Sequence, residues 1–175
     1  MLLCICALAV NIARADERKP VEPPEAVLKA VYLERFTRFV DWPQAAGLEE
    51  RASAFRLCTI GVTPFGSALR QIYAKQPIRG KRVEVRSLRS ETDTAGCHLL
   101  FVGQLGGEEL ARLFEAVRDK PILTVGNRPE VWERGVQINM EVVDKKVRFD
   151  INEGTARAAG LRISHLLLRY ARSVR

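Results

Sequence analysis

The order of apolar runs and helical patterns predicts an α/β fold. The expected architecture is a single domain with a mostly parallel sheet flanked by helices, Rossmann-like, and an antiparallel hairpin near the C-terminus. Three observations carry this. Residues 57–61, 98–103 and 122–126 are short runs, almost wholly apolar, that each finish in glycine, the pattern of strands buried on both faces. Helical or turn segments separate them, as in βαβ units. Beyond residue 134 the pattern changes: 135–143 and 146–151 flank Asp144-Lys145, which reads as a hairpin although the pair lacks the glycine that primed turns favour.

The elements follow in order. Residues 25–41 place Leu28, Tyr32, Phe36 and Phe39 at helical spacing, and Trp42-Pro43 ends that helix. The stripe reads as core. Thr63-Pro64 fits an N-cap with proline at the first helical position, opening a helix that runs to about Tyr73. If 81–88 is a strand, Val83, Val85 and Ser87 share one face, while Arg82, Glu84 and Arg86 form the other, solvated one. Residues 108–118 form a second crossover helix, with Leu110, Leu113, Phe114 and Val117 on one stripe. Asn152 caps a short helix that Gly160 terminates, and Ser164 opens the last helix with Leu167, Leu168 and Ala171 inward.

The chain has 175 residues, 47% of them hydrophobic and 28% charged, a composition that excludes a disordered, collagenous or disulfide-dense protein. Residues 1–13 are apolar apart from Asn11, and Ala13-Arg14-Ala15 has the small-x-small form of a signal peptidase site. A signal peptide over 1–15 is expected, then a linker over 16–24 and one domain over 25–173. No Lys or Arg precedes the apolar run, and an ordinary cytosolic N-terminus is the competing reading. The run is too short to span a bilayer, which takes about 20 residues, so an exported, soluble chain is expected. The full chain carries a net charge of +7, +6 once residues 1–15 with Arg14 are removed, which in an exported protein points to acidic partners or an anionic membrane surface rather than nucleic acid, or simply to scattered, solvated charges.

Export would leave Cys58 and Cys97, 39 positions apart, as the remaining cysteines. A structural disulfide between neighbouring strands, two buried thiols and a catalytic role are the readings open to them. His98 beside Cys97 suggests a Cys-His nucleophile, but adjacent strand residues point to opposite faces. Enzyme signatures are sparse: there is no His-x-x-x-His and no Gly-x-Ser-x-Gly, and His98 and His165 are the sole imidazoles. Asp150 and Glu153 are conceivable paired carboxylates, although acids near a helix start are commonplace. No cofactor or metal is expected. A second functional reading is a small-ligand binding module feeding a membrane sensor kinase. Its loop pocket would lie at Gly61, Thr63, Gly103 and Gly126, because open α/β sheets bind ligands at the carboxyl ends of their strands.

An ordered series of short motifs runs through the chain. It comprises Phe36-Thr-Arg-Phe39 with Trp42-Pro43, Cys58-x-Ile60-Gly61-x-x-Pro64-Phe65-Gly66, Gly80-Lys81-x-Val83-x-Val85-Arg86 and Cys97-His98-x-Leu100-Phe101-Val102-Gly103. It continues with Pro121-x-Leu123-Thr124-Val125-Gly126, Gly135-x-x-Ile138-Asn139, Phe149-x-Ile151-Asn152 and Ala159-Gly160-Leu161-Arg162-Ile163-Ser164. The series resembles the YfiR family over nearly the whole of the expected mature chain.

That resemblance implies a periplasmic α/β protein, often a homodimer, without enzymatic activity. It implies repression of a YfiN-like diguanylate cyclase of the inner membrane, and so lower cyclic-di-GMP and less biofilm. It also implies sequestration of the repressor by a YfiB-like, OmpA-like lipoprotein of the outer membrane. The segment 149–164 would contribute partner or ligand contacts, which nominates Asp150, Arg162 and Ser164. Ser164 also serves as a helix cap and stands where some members carry histidine. Repressor-type members can carry a second cysteine pair in the stretch matching 126–140, and this chain has none there. The resemblance therefore carries the family more firmly than the repressor role.

Overall fold

Helices on both faces of one twisted sheet bury two apolar layers. The structure, a computed structural model, describes residues 24–48 and 54–175. The expected signal peptide and all of the expected linker but Pro24 lie outside the described residues. Nine strands are present among them: β1 Val40–Asp41, β2 Phe55–Ile60, β3 Val83–Ser87, β4 Leu99–Val102, β5 Leu123–Gly126, β6 Ile138–Val143, β7 Lys146–Ile151, β8 Arg162–Ile163 and β9 Ser173–Val174. The helices are α1 Glu25–Thr37, α2 Ala68–Tyr73, α3 Gly107–Val117, α4 Pro129–Glu133, α5 Glu153–Ala158 and α6 His165–Leu168. Seven strands form the main sheet in the order β3-β2-β4-β5-β6-β7-β9. All its neighbours are parallel except the β6–β7 hairpin. The fold is mixed α/β, as the sequence predicts.

Alternation along the strands sorts side chains to the two faces. Phe55, Leu57, Leu99 and Phe101 join the core beneath α1 and α2, whereas Cys58, Ile60, Leu100 and Val102 join the core beneath α3 and α4. Full burial on both faces explains why these runs carry no polar alternation. At β3 the sheet ends, and its outer face is solvated. Glu84 pairs there with Arg82 at 2.7 Å and Arg56 at 3.5 Å, and Arg86 with Asp93 at 3.3 Å.

Three element boundaries differ from the sequence reading. The first helix stops at Thr37 instead of Asp41, because Val40 and Asp41 pair with Ile163 and Arg162 in a separate two-stranded sheet. Arg79 donates to the Thr37 and Val40 carbonyls at 3.0 and 3.1 Å, satisfying acceptors at the helix end from outside it. The buried stripe is accordingly Ala30, Leu33 and Phe36, with Leu28, Tyr32 and Phe39 only partly covered.

The second difference is α2, which begins at Ala68 and not at Thr63-Pro64. Gly66 sits at φ +49°, a left-handed conformation that a continuous right-handed helix does not contain. The third is the last helix, which spans four residues, His165–Leu168, and leaves Ala171 beyond it in the turn towards β9. The hairpin turn forms without glycine, with Asp144 and Lys145 at φ +47° and +62°. Both caps hold: Asn152 Oδ1 accepts from Thr155 N at 3.1 Å and Ser164 Oγ from Leu166 N at 3.3 Å.

Candidate partner-binding surface

The two cysteines are joined. Cys58 faces the α3 layer from β2, Cys97 precedes the neighbouring β4, and their Cα atoms stand 5.9 Å apart in a Cys58–Cys97 disulfide. Both residues are buried. His98 turns to the opposite side, against Phe55 at a ring separation of 5.3 Å. Its Nδ1 accepts from Arg56 N–H at 2.9 Å, so Nε2 carries the proton and donates to Ala46 O at 3.1 Å. Burial first, and then the positive charges of Arg56 and Lys81, depress its pKa against the opposing Ala46 bond. The imidazole is a structural pin between the sheet and the 44–48 loop.

Asp150, on β7, is 5% exposed and points away from the α1 core. Its carboxylate accepts from Arg172 Nε at 3.0 Å, from Arg172 Nη2, and from Ser173 Oγ at 2.7 Å. Arg172 also pairs with Glu141. The Arg172 hydrogen bond is the main force holding the Asp150 carboxyl below its ordinary value, against the cost of burial. These contacts tie the turn after α6, and with it β9, to the sheet.

Arg162 and Ser164 lie together on β8 and at the start of α6. The Arg162 side chain is 84% exposed, with Asp41 3.9 Å away across the β1–β8 pair. Ser164 donates its main-chain N–H to Phe39 O at 2.8 Å and caps α6 with its side chain. Asp150 lies on β7 of the main sheet, whereas Arg162 lies on β8 of the separate two-stranded sheet and Ser164 at the start of α6.

Leu167 is buried, whereas Leu166 on α6 and Tyr170 in the turn after it are 44% and 80% exposed. Val174 on the edge strand β9 is exposed as well. From Gly154 to Arg175 the chain has five arginines and no Asp or Glu, and Arg157, Arg162 and Arg172 take carboxylate partners from elsewhere, Glu153, Asp41 and Asp150. The sequence contains the signal for Leu166, since an inward Leu167 places it outside, but the exposure of Tyr170 depends on how the C-terminal turn packs.

The glycine-terminated strand ends also meet. Val62 and Gln104 exchange main-chain hydrogen bonds at 3.0 and 2.9 Å, closing the carboxyl ends of β2 and β4. A Cβ at Gly61 would overlap the Gln104 carbonyl, and one at Gly103 the Val62 carbonyl, with Thr63 Cγ2 beside it. Only glycine permits this approach. Gly126 packs on Val131 and Asn139. Two clefts lie elsewhere. One of about 500 Å³ sits beside Trp42, with Arg38, Arg79 and Lys81 around it. The other, of about 800 Å³, opens at the amino ends of β5 and β6.

The topology defines a mixed α/β protein, with a mostly parallel sheet flanked by helices and an antiparallel hairpin near its C-terminus. The chain belongs to the YfiR/HmsC-like family, whose model matches residues 26–172. Two solved structures share the fold at low identity. A conserved domain protein from Vibrio cholerae O1 biovar El Tor has a TM-score of 0.55 and 10% identity, with 86% of this chain and 60% of that chain covered. The ABC domain in complex with L-Trp from Streptococcus pneumoniae has a TM-score of 0.52 and 12% identity, with the same coverage. The chain thus spans about 60% of the length of each. Among the described residues no helix is long and apolar enough to cross a membrane, and no group of three or more His, Cys, Asp or Glu side chains is placed to hold a metal ion.

Proposed function

We propose that this chain is a periplasmic, non-enzymatic regulator that binds an inner-membrane diguanylate cyclase of the YfiN kind and restrains cyclic-di-GMP synthesis. A YfiB-like, OmpA-like outer-membrane lipoprotein relieves the restraint by sequestering it, and the regulator works as a homodimer. Family membership supports this reading, and the buried disulfide agrees with an oxidising compartment. The observation that carries it is the exposure of Leu166 on α6 and of Tyr170 in the turn after it. An aromatic and a leucine standing proud of the surface form a recognition anchor of the type that dominates protein interfaces. Arg162 and Ser164 border it from the same segment.

The test is cyclic-di-GMP in cells lacking the protein, rescued by the exported form, by a form without residues 1–15, or by a Tyr170→Asp variant. Deletion raises the nucleotide, and only the exported wild-type form lowers it again. Loss of one aromatic anchor costs about 2 kcal/mol, roughly thirtyfold in affinity, so the variant accumulates normally yet fails to restore repression. An unchanged nucleotide level on deletion under several growth conditions overturns the repressor role and leaves a ligand-binding module with a different membrane partner.

A further inference from the structure

The cleft of about 800 Å³ has a size that suits a small ligand. One wall is the second face of α3. Leu110, Leu113 and Val117 are spent on the sheet, and Ala111, Phe114, Glu115 and Arg118, at positions i, i+3, i+4 and i+7, turn toward the cleft. The opposite wall is α5, with Thr155, Ala158 and Ala159. Thr124 and Gln137 make the floor, and they satisfy each other: Gln137 Oε1 accepts from Thr124 N at 3.0 Å and Thr124 Oγ1 from Gln137 N at 3.1 Å. A floor with its polar groups already paired places no polar demand on what lies against it.

The rim decides the chemistry. Three arginines, Arg112, Arg118 and Arg134, stand against two carboxylates, Glu115 and Asp119. Arg112 is taken by Glu91 and, at 3.8 Å, Glu108, and Arg118 is taken by Glu115. Arg134 and Asp119 make no ion pair with any described residue, so their charges balance on the rim, and Arg134 is the lining arginine whose guanidinium is open to an anion. The geometry points to a binding site for a small apolar carboxylate. Its hydrocarbon body lies between Phe114 and Ala158, and its acid head meets the Arg134 guanidinium, whose planar fork fits a carboxylate in two-point fashion. The site lies at the amino ends of the strands, away from Gly61, Thr63, Gly103 and Gly126. It stands apart from the cyclase reading, although α5 leads directly through Gly160 into β8 and α6.

The experiment is calorimetric titration of the purified protein with decanoate, decanol and decylammonium, each below its micelle threshold. Decanoate binds one per chain, roughly tenfold tighter than decanol, the worth of one charge-assisted contact, and decylammonium binds no better than decanol. Arg134→Ala, at an exposed position, abolishes the preference for decanoate over decanol, and Arg134→Lys retains most of it. Ala158→Trp, which fills the cleft from an exposed helix position, removes binding of both. Absence of decanoate binding, equal binding of decanoate and decanol, tighter binding of decylammonium, or a preference that survives Arg134→Ala each overturns the site.

Discussion

His98 shows how a single side chain couples this fold to pH. Its neutral ring accepts from Arg56 N–H and donates to Ala46 O, and protonation converts the acceptor nitrogen into a donor facing another donor. Its folded pKa lies below the ordinary value of about 6.5. The unfolded chain therefore binds more protons between the two values, and stability rises with pH across that window. The contribution is complete above about pH 6.5 and is lost as pH falls through the depressed folded value. His98→Ala leaves a main-chain donor and acceptor without partners and lowers stability by about 1–3 kcal/mol at pH 7. Urea midpoints at pH 7 and 5 check both points. The wild type loses more stability than the variant between them, and parallel losses would refute the pin. Arg162, by contrast, was nominated through the family resemblance, and the structure leaves its side chain 84% exposed with Asp41 3.9 Å away.

At the scale of elements, the disulfide joins two strands that are adjacent in the sheet, so it closes a 39-residue loop without asking the strands to move. By the chain-entropy model, replacing both cysteines with alanine costs up to roughly 4 kcal/mol. Because Cys58 and Cys97 are both buried, the bond in the folded protein resists a small thiol reductant and yields only when denaturant is added. Thiol labelling with and without urea measures this, and rapid labelling of the native protein would contradict it. The β2, β4 and β5 strands, α3 and the β6–β7 hairpin were readable from pattern because their burial is dictated by local periodicity. The two-residue strands β1, β8 and β9 and the five-residue α4 were not. Segments so short have no period to read, and they take their form from tertiary partners, as Val40 does from Ile163, 123 residues away, and Ser173 from Asp150.

Across the whole molecule, cohesion is uneven. The centre of the sheet, β2, β4 and β5, is covered by helices on both faces and crossed by the disulfide. The C-terminal turn and β9 instead depend on Asp150, which anchors Arg172 and Ser173 on the outer part of the sheet. Local opening follows such differences in burial. Asp150→Asn therefore speeds amide exchange in peptides spanning 162–175 while leaving those of β2 and β4 near wild-type rates. Hydrogen-exchange mass spectrometry reads the contrast, and a uniform acceleration would mean that the clamp supports the entire core. Since Leu166 and Tyr170 ride on the clamped segment, Asp150 bears on the proposed partner surface by positioning it.

The amino-acid order alone determined the α/β class, the parallel centre and its hairpin, both helix caps at Asn152 and Ser164, and the family pattern, because each is written in local periodicity, turn chemistry or ordered motifs. Folding in three dimensions chose among the readings left open for Cys58 and Cys97, turned Asp150 inward to Arg172, closed the carboxyl strand ends through Val62 and Gln104, and opened a cleft between α3 and α5. Those outcomes rest on contacts between residues distant in the chain, whose register only the packed sheet sets.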